Sequence, residues 1–84
     1  MNPQDVEQLI RQGMPDAEVR VESDDGTHFS AMIVTDAFAG LRTLQRHQRV
    51  YATLGALMGR EIHALTMQTL TVAEAQATQQ SAQQ

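Results

Sequence analysis

Two segments of alternating polarity, joined by a turn signal, most constrain what this chain can fold into. In the first segment, AEVRVES, apolar residues alternate with polar ones, and HFSAMIV continues the pattern after the tetrapeptide DDGT. Alternation with a period of two is typical of strands with one buried face, and Asp25-Gly26 is a strong signal for a tight turn. Residues 17–34 are therefore predicted to form a β-hairpin. The side chains predicted to face inward are Ala17, Val19, Val21, Phe29, Ala31 and Ile33.

Helical signals precede and follow the hairpin. Asn2 is placed to cap a first helix, which ends near Gly13. A second helix is predicted from Thr43 to Met58, because apolar residues recur at helical spacing up to the glycine at position 59. The apolar residues of this helix that are predicted to be buried are Leu44, Val50, Leu54 and Leu57, with His47 and Tyr51 beside them.

Two further elements are predicted around the second helix. Asp36 begins a short turn or helix before it. After it, the segment EIHALTMQTL is predicted to be a third strand. Alternate residues of a strand point the same way, so Ile62, Ala64 and Thr66 should lie on one face of that strand. The opposite face should then carry His63, Leu65 and Met67.

The C-terminal segment begins with a helix signal and then loses all charge. Thr71 and Glu74 match a capping box that starts a last helix. Residues 75–84 contain only alanine, glutamine, threonine and serine, so we expect a disordered tail after a domain that spans residues 1–74. The predicted order is α-β-β-α-α-β-α, an α+β fold in which helices cover one side of a three-stranded sheet.

The composition restricts the class of protein. With 84 residues the chain is one domain, and without cysteine it has neither a disulfide nor a thiolate of its own. The N-terminal segment lacks a secretory signal, and no apolar run reaches the roughly 20 residues of a membrane span, so a cytoplasmic protein is expected. The formal net charge is −4 without any lysine, which disfavours a dedicated nucleic-acid binder because phosphate contacts need cations.

Residues suited to catalysis are scarce. Ser30 lies two positions from His28 on the same predicted strand face, but the sequence offers no third group that would orient the histidine. Asp24 and Asp25 fall at the hairpin tip, where solvated carboxylates are the simpler interpretation. The sequence therefore predicts a protein that is not an enzyme.

Three histidines, His28, His47 and His63, are the candidate metal ligands. No two of them form a close pair on one helix face, so their spacing does not define a metal site. Each is also explained as a structural residue. His47 would bond a neighbouring carbonyl, His28 would pair across strands and His63 would pack half-buried, and the residues alone favour these structural roles.

Arg42, Arg46 and Arg49 fall at i, i+4 and i+7 of the predicted second helix, next to His47. This spacing puts the guanidinium groups on one helix face about 10 Å long. The face is either solvated or a docking patch for an anionic partner, such as a nucleic-acid backbone, an acidic protein or a peptide carboxylate. Both interpretations remain open at this level.

A set of short motifs runs through most of the chain. The motifs are His28-Phe29 at the start of the second strand, Phe38-x-Gly40, Arg46-His47-x-x-Val50-Tyr51, Leu54, Ile62-His63-Ala64 and the helix start Thr71-x-x-Glu74. As an ordered set they resemble the BolA family, most closely its short bacterial, IbaG-like branch. The resemblance covers about residues 4–75.

The resemblance implies a fold like that of a class II KH domain, in agreement with the element order above. It also implies a partner, a monothiol glutaredoxin, with which proteins of this family form a heterodimer that can bridge a [2Fe-2S] cluster. The family's cluster histidine matches His63, and the glutaredoxin and its glutathione would bring the thiolates. The isolated protein is then expected to hold no cofactor. Its implied role is that of an adaptor in iron–sulfur and iron homeostasis and in the stress response.

Two positions depart from the family pattern. Many relatives carry a second ligand, a histidine or a cysteine, in the hairpin loop, whereas the short loop SDDGT places Asp25 at the matching position, with His28 nearby. The resemblance therefore implies Asp25 or His28 as the second ligand. Ala75 stands where many relatives have a tryptophan, so the last helix is expected to dock loosely.

The resemblance also implies a rival function. DNA binding is attributed to some family members through the helix that matches residues 42–51. The KH-type GxxG loop, which clamps a nucleic-acid backbone, is missing around Gly40. We therefore rank a DNA-binding transcriptional regulator second to the adaptor. The sequence leaves the oligomeric state open, a homodimer included.

Overall fold

Three helices and three strands make up the computed structural model, which describes residues 1–82. The predicted α+β fold and its three-stranded sheet are confirmed. Single 3-10 turns, Asp36–Phe38 and Gly55–Leu57, precede and follow the second helix. The helices are α1 (Pro3–Gly13), α2 (Thr43–Leu54) and α3 (Val72–Ala82), and the strands are β1 (Glu18–Glu22), β2 (His28–Val34) and β3 (Ala64–Leu70).

The sheet is mixed and has the order β1-β2-β3. β1 and β2 form the predicted antiparallel hairpin, with Val19 opposite Ile33. β3 runs parallel to β2, with His28 opposite Ala64 at the end where both strands begin. A parallel neighbour requires a crossover connection, and α2 lies within that connection.

The core lies between α1, α2 and one face of the sheet. Phe38, from the first 3-10 turn, is completely buried in it. The inward prediction is confirmed for every hairpin residue inside the two strands, while Ala17 precedes β1 and is only partly buried. The buried cluster consists of Val6, Ile10, Val19, Val21, Phe29, Ala31, Ile33, Phe38, Val50, Leu54 and Ile62.

The predicted cap of α1 is confirmed. Asn2 Oδ1 accepts a hydrogen bond from the Asp5 N–H at 2.9 Å, which satisfies one of the free donors of the first turn. At the other end, α1 passes close to α2. A Cβ atom added at Gly13 would lie 2.5 Å from Thr53 Cγ2, so only glycine fits this crossing without a shift.

The predicted extent of α2 is wrong at its C-terminal end. The helix ends at Leu54 and not at Met58, because Gly55 takes a φ of +54°, which favours glycine and leaves the helical region. The predicted burial of Leu44 is also wrong. Its side chain is 69% exposed, since it projects from the first turn of α2 away from the core.

The predicted start of the third strand needs correction, while its predicted faces are confirmed from Ala64 onward. β3 begins at Ala64, so Ile62 lies in the preceding loop and is free of the strand's alternation. Ile62 is fully buried, whereas Ala64 and Thr66 are exposed. The residues of β3 that pack against the core are Leu65 and Met67.

The capping box that begins α3 is confirmed. The Glu74 N–H donates to Thr71 Oγ1 at 3.2 Å, and the Thr71 N–H donates to Glu74 Oε1 at 2.8 Å. The helix continues through Ala82, into the segment predicted as a disordered tail, and residues 83–84 of that segment lie outside the described residues. The domain boundary at residue 74 stays a prediction. No helix in the described part of the chain is long and apolar enough to span a bilayer.

Candidate metal and partner-binding site

The hairpin loop and the segment that enters β3 meet at one end of the sheet and bring two histidines together. The backbone N–H of His63 donates to the Thr27 carbonyl at 2.9 Å, which fixes this segment beside the start of β2. The ring centroids of His28 and His63 are 6.3 Å apart and their planes are inclined by 39°. Both residues are exposed, so the rings form a pair on the surface.

Asp25 organises the loop that carries this pair. Its Oδ1 accepts the backbone N–H groups of Thr27 and His28, each at 2.9 Å, and its Oδ2 lies 2.7 Å from His28 Nδ1. The backbone N–H of His28, the backbone N–H of Thr27 and the His28 ring, in that order of effect, hold the pKa of Asp25 well below its usual range. The carboxylate is therefore ionised at neutral pH.

The contact with Asp25 assigns the two ring nitrogens of His28 different roles. An ionised carboxylate only accepts hydrogen bonds, so the tautomer that fits this contact carries its proton on Nδ1. Nε2 then keeps its lone pair for a metal. A histidine whose second nitrogen bonds a carboxylate is the usual arrangement around protein-bound metals, because the carboxylate orients the ring and makes it more basic.

The structure brings together the three residues that sequence reasoning assigned to a metal. Asp25 and His28 interact directly, and His63 lies next to His28. Within residues 1–82, however, no group of three or more histidine, aspartate or glutamate side chains is arranged to hold a metal ion. In this geometry Asp25 bonds to the His28 ring, and the two exposed imidazoles side by side are those of His28 and His63.

Arg46 is separated from the other two arginines of the predicted patch. Its side chain is only 12% exposed. The Nε donates to the Leu41 carbonyl at 2.9 Å, and Nη1 donates to the Thr69 carbonyl at 2.9 Å and to Glu74 Oε1 at 2.6 Å. Its guanidinium carbon also lies 5.8 Å from the centre of the Phe38 ring. Arg46 thus ties α2 to β3 and α3 and does not form a continuous exposed face with Arg42 and Arg49.

The remaining predicted contact residues lie along α2. Arg42 and Arg49 are exposed, and His47 is half-buried. The bond from the His47 ring to a carbonyl, favoured at the sequence level, is not among the hydrogen bonds of the described residues. Leu44 and Tyr51, which are 69% and 38% exposed, share the spacing of His47 and add apolar surface to this side of the helix.

Sequence reasoning missed the specific part that Asp25 plays toward His28. The signal that could have revealed it is local. An aspartate two and three residues before free backbone N–H groups commonly closes a turn with its own carboxylate. In the segment from Asp25 to His28 this closure brings the second carboxylate oxygen to the ring.

One concavity of the described part of the chain lies away from the histidines. It has a volume of about 610 Å³ and opens between α3 and the face of the sheet opposite the core. Its apolar lining includes Met32, Val34 and Val72, and Asp16 and Glu18 add negative charge. None of the predicted site residues lines it, so volume alone does not mark the candidate site.

Comparison with known proteins identifies the family. The BolA-like protein family model matches residues 8–74, so the chain belongs to the BolA-like family and the resemblance seen in the sequence is confirmed. One relative, an uncharacterized protein from the rpoN-murA intergenic region of Acinetobacter guillouiae, is 36% identical over 75 residues, which are 88% of this chain and 89% of that protein. The DNA-binding transcriptional regulator BolA of Escherichia coli is 37% identical over 54 residues, which are 64% of this chain and only 51% of that protein.

Solved structures of the family share the fold. A bolA protein homologue from Coxiella burnetii is 37% identical and superposes with a TM-score of 0.76, covering 90% of this chain and 97% of that one. BolA1 from Arabidopsis thaliana is 27% identical with a TM-score of 0.73, covering 86% and 93% of the two chains. These matches confirm the predicted fold class, and none of the four proteins is named as an enzyme.

Proposed function

We propose that this protein is a non-enzymatic adaptor that pairs with a monothiol glutaredoxin and contributes imidazole ligands to a shared [2Fe-2S] cluster. The observation that carries the proposal is the exposed pair of His28 and His63, whose ring centroids are 6.3 Å apart. In this proposal the protein belongs to the short, IbaG-like bacterial branch and acts in the cytoplasm, in iron homeostasis and the stress response.

The chemistry of the donor set fits a shared cluster. Iron–sulfur clusters accept imidazole in place of thiolate, as in Rieske centres, so a protein without cysteine can supply ligands. His28 has its Nδ1 bonded to Asp25 and its Nε2 available, and His63 is exposed beside it. Asp25 is engaged by the ring of His28, so in this proposal the thiolates of a second protein and its glutathione complete the cluster.

The direct test is anaerobic reconstitution of the cluster with the protein, a monothiol glutaredoxin, glutathione, ferrous iron and sulfide. We expect a heterodimer in size-exclusion chromatography whose visible circular dichroism differs from that of the glutaredoxin alone. His63→Ala should change this spectrum, because it removes an iron ligand and little packing. Gln12→Ala is the control, since Gln12 is exposed on α1 and belongs to none of the predicted sites, so this variant should leave the spectrum unchanged. The proposal would be refuted if His63→Ala left the visible circular dichroism spectrum unchanged, or if no heterodimer formed.

A DNA-binding regulator is the second candidate. Relatives from Escherichia coli and Vibrio cholerae are named DNA-binding transcriptional regulator BolA, and the matched segment covers 51% and 45% of those proteins. Arg42 and Arg49 are exposed on α2 and could contact phosphates. The net charge of −4 and the internal bonds of Arg46 keep this candidate second.

A further inference from the structure

The outer edge of β3 begins next to the histidine pair. In a parallel ladder, alternate residues turn both backbone groups toward the neighbouring strand. The Leu70 carbonyl accepts the Thr35 N–H at 2.9 Å, so the backbone groups of Leu70 face β2. The backbone groups of every second residue before it face β2 as well, namely those of Gln68, Thr66 and Ala64. The backbone groups of Leu65, Met67 and Thr69 consequently point away from the sheet. β3 is an edge strand, since the order is β1-β2-β3.

At one end of this edge, a side chain of the protein itself bonds an outward backbone group. Arg46 Nη1 donates to the Thr69 carbonyl at 2.9 Å. Arg11 has the corresponding position on the other edge of the sheet, where its Nη2 donates to the Val19 carbonyl at 3.2 Å. Within the described residues, no strand and no hydrogen bond satisfies the outward backbone groups of Leu65 and Met67.

The open part of the β3 edge lacks the features that normally protect an exposed edge. Edge strands are commonly guarded by charged residues, proline or a bulge. The sequence of β3, ALTMQTL, has no charge, no proline and no glycine, and its pairing with β2 is regular over all seven residues. β1 differs, because its exposed side chains, Glu18, Arg20 and Glu22, are all charged. The two edges are therefore unequal, and only that of β3 presents an uncharged strand.

We infer that Leu65 and Met67 receive an extended backbone segment of the thiolate-bearing protein that shares the cluster. This inference rests on the function proposed above. Leu65 follows His63 by two residues, about 7 Å along a strand, so a partner that places a ligand beside His63 also covers this edge. Strand addition joins two proteins through main-chain hydrogen bonds, which fix orientation without requiring a particular side chain. The edge thus sets how the partner approaches the histidines.

Residue-resolved hydrogen exchange tests the inference. In the free protein, the outward amides of Leu65 and Met67 should exchange fast, while the amides of Thr66 and Gln68, bonded to β2, should exchange slowly. In the cluster-bridged heterodimer with a monothiol glutaredoxin, the two outward amides should slow at least about tenfold. Thr66 and Gln68 are the internal controls, since they show whether β3 itself has stayed intact.

A pair of variants separates backbone from side chain at one position. Met67→Pro removes the outward N–H and leaves the ladder to β2 intact, because proline is tolerated where an edge N–H faces solvent. Met67→Ala removes the same side chain and keeps the N–H. We expect Met67→Pro to weaken glutaredoxin binding about tenfold more than Met67→Ala, with slow Thr66 exchange in both variants.

The outcomes distinguish this inference from the proposed function. If the heterodimer forms and shows its cluster spectrum while Leu65 and Met67 still exchange fast, the inference is wrong and the proposed function stands. If no heterodimer forms, both are wrong. If the outward amides are protected without glutaredoxin, and more so at higher protein concentration, the occupant of the edge is a second copy of this chain and the inference is overturned.

Discussion

Asp25 holds the ring of His28 through a 2.7 Å contact between Oδ2 and Nδ1. The two side chains are 53% and 64% exposed, so burial does not keep them together. The turn keeps the two side chains together, because the other carboxylate oxygen of Asp25 accepts the backbone N–H groups of Thr27 and His28. A short solvent-exposed loop can thus present an imidazole in a fixed orientation next to His63.

Replacement of Asp25 should weaken the binding of the cluster less than replacement of His28 does. Asp25→Asn keeps an oxygen that can accept the turn N–H groups, but it removes the charge that favours a proton on His28 Nδ1. Loss of such an orienting carboxylate lowers metal affinity about ten- to a hundredfold. Visible circular dichroism during challenge with an iron chelator gives the rates of cluster loss for both variants. If Asp25→Asn releases the cluster as fast as His28→Ala, the carboxylate is itself a ligand.

Arg46 and Glu74 should make the attachment of α3 sensitive to acid. The side-chain hydrogen bond from Arg46, followed by the backbone N–H of Thr71, lowers the pKa of Glu74 to about 2 from a usual 4.5. A carboxyl group with a lowered folded-state pKa contributes stability above its unfolded-state pKa, and this contribution is lost as the pH falls. The difference in free energy of unfolding between the natural protein and Glu74→Gln should therefore be constant above pH 5 and shrink between about pH 4.5 and 2.

Urea unfolding at a series of pH values measures that difference. Arg46→Ala serves as the companion variant. Arg46→Ala should lower the free energy of unfolding by about 2 kcal/mol at neutral pH, more than Glu74→Gln does. The reason is that the carbonyls of Leu41 and Thr69 lose their charged donor as well. A pH-independent difference for Glu74→Gln would show that the contact with Arg46 does not persist in solution.

The close approach of α1 and α2 gives a prediction for Gly13. Gly13→Ala would place its Cβ 2.5 Å from Thr53 Cγ2, and the resulting overlap should lower the free energy of unfolding by about 1 to 2 kcal/mol. This is the reverse of an open helical site, where alanine is preferred to glycine. Thr53→Ser removes Cγ2 but keeps the hydroxyl that donates to the Val50 carbonyl, so combining it with Gly13→Ala should restore part of the loss. Denaturant unfolding of the two single variants and the double variant measures these changes in the free energy of unfolding. If the changes of the two single variants add up in the double variant, the predicted overlap is contradicted.

Features set by neighbouring residues could be predicted from the sequence. The cap at Asn2, the hairpin turn at Asp25-Gly26 and the capping box of Thr71 with Glu74 each depend on residues at most three positions apart, and their patterns are specific. The fold class followed, because alternation and helical spacing indicate which face of each element is buried.

Features that depend on distant residues could not be predicted in this way. His28 meets His63 only because β3 pairs in parallel with β2 in one register, which no local pattern encodes. Arg46 looked like part of a surface patch because its partners, the Thr69 carbonyl and Glu74, lie 23 and 28 residues away. The family resemblance supplied the prediction that His63 is a cluster ligand, but the geometry was needed to separate Arg46 from Arg42 and Arg49.

The two arginines that remain exposed on α2 distinguish the candidate functions. Each phosphate contact makes the logarithm of DNA affinity fall by about 0.9 per logarithm of salt, so Arg42 and Arg49 together support a slope of only about −2. This is small for a monomer that binds one sequence tightly. Arg42→Ala with Arg49→Ala should therefore abolish only weak, salt-sensitive binding, measured by fluorescence anisotropy of labelled duplex DNA. Arg20→Ala with Arg60→Ala removes the same charge elsewhere and is the control. Sub-micromolar binding of one sequence at physiological salt, lost in the first double variant alone while the glutaredoxin heterodimer persists, would make the regulator the better assignment.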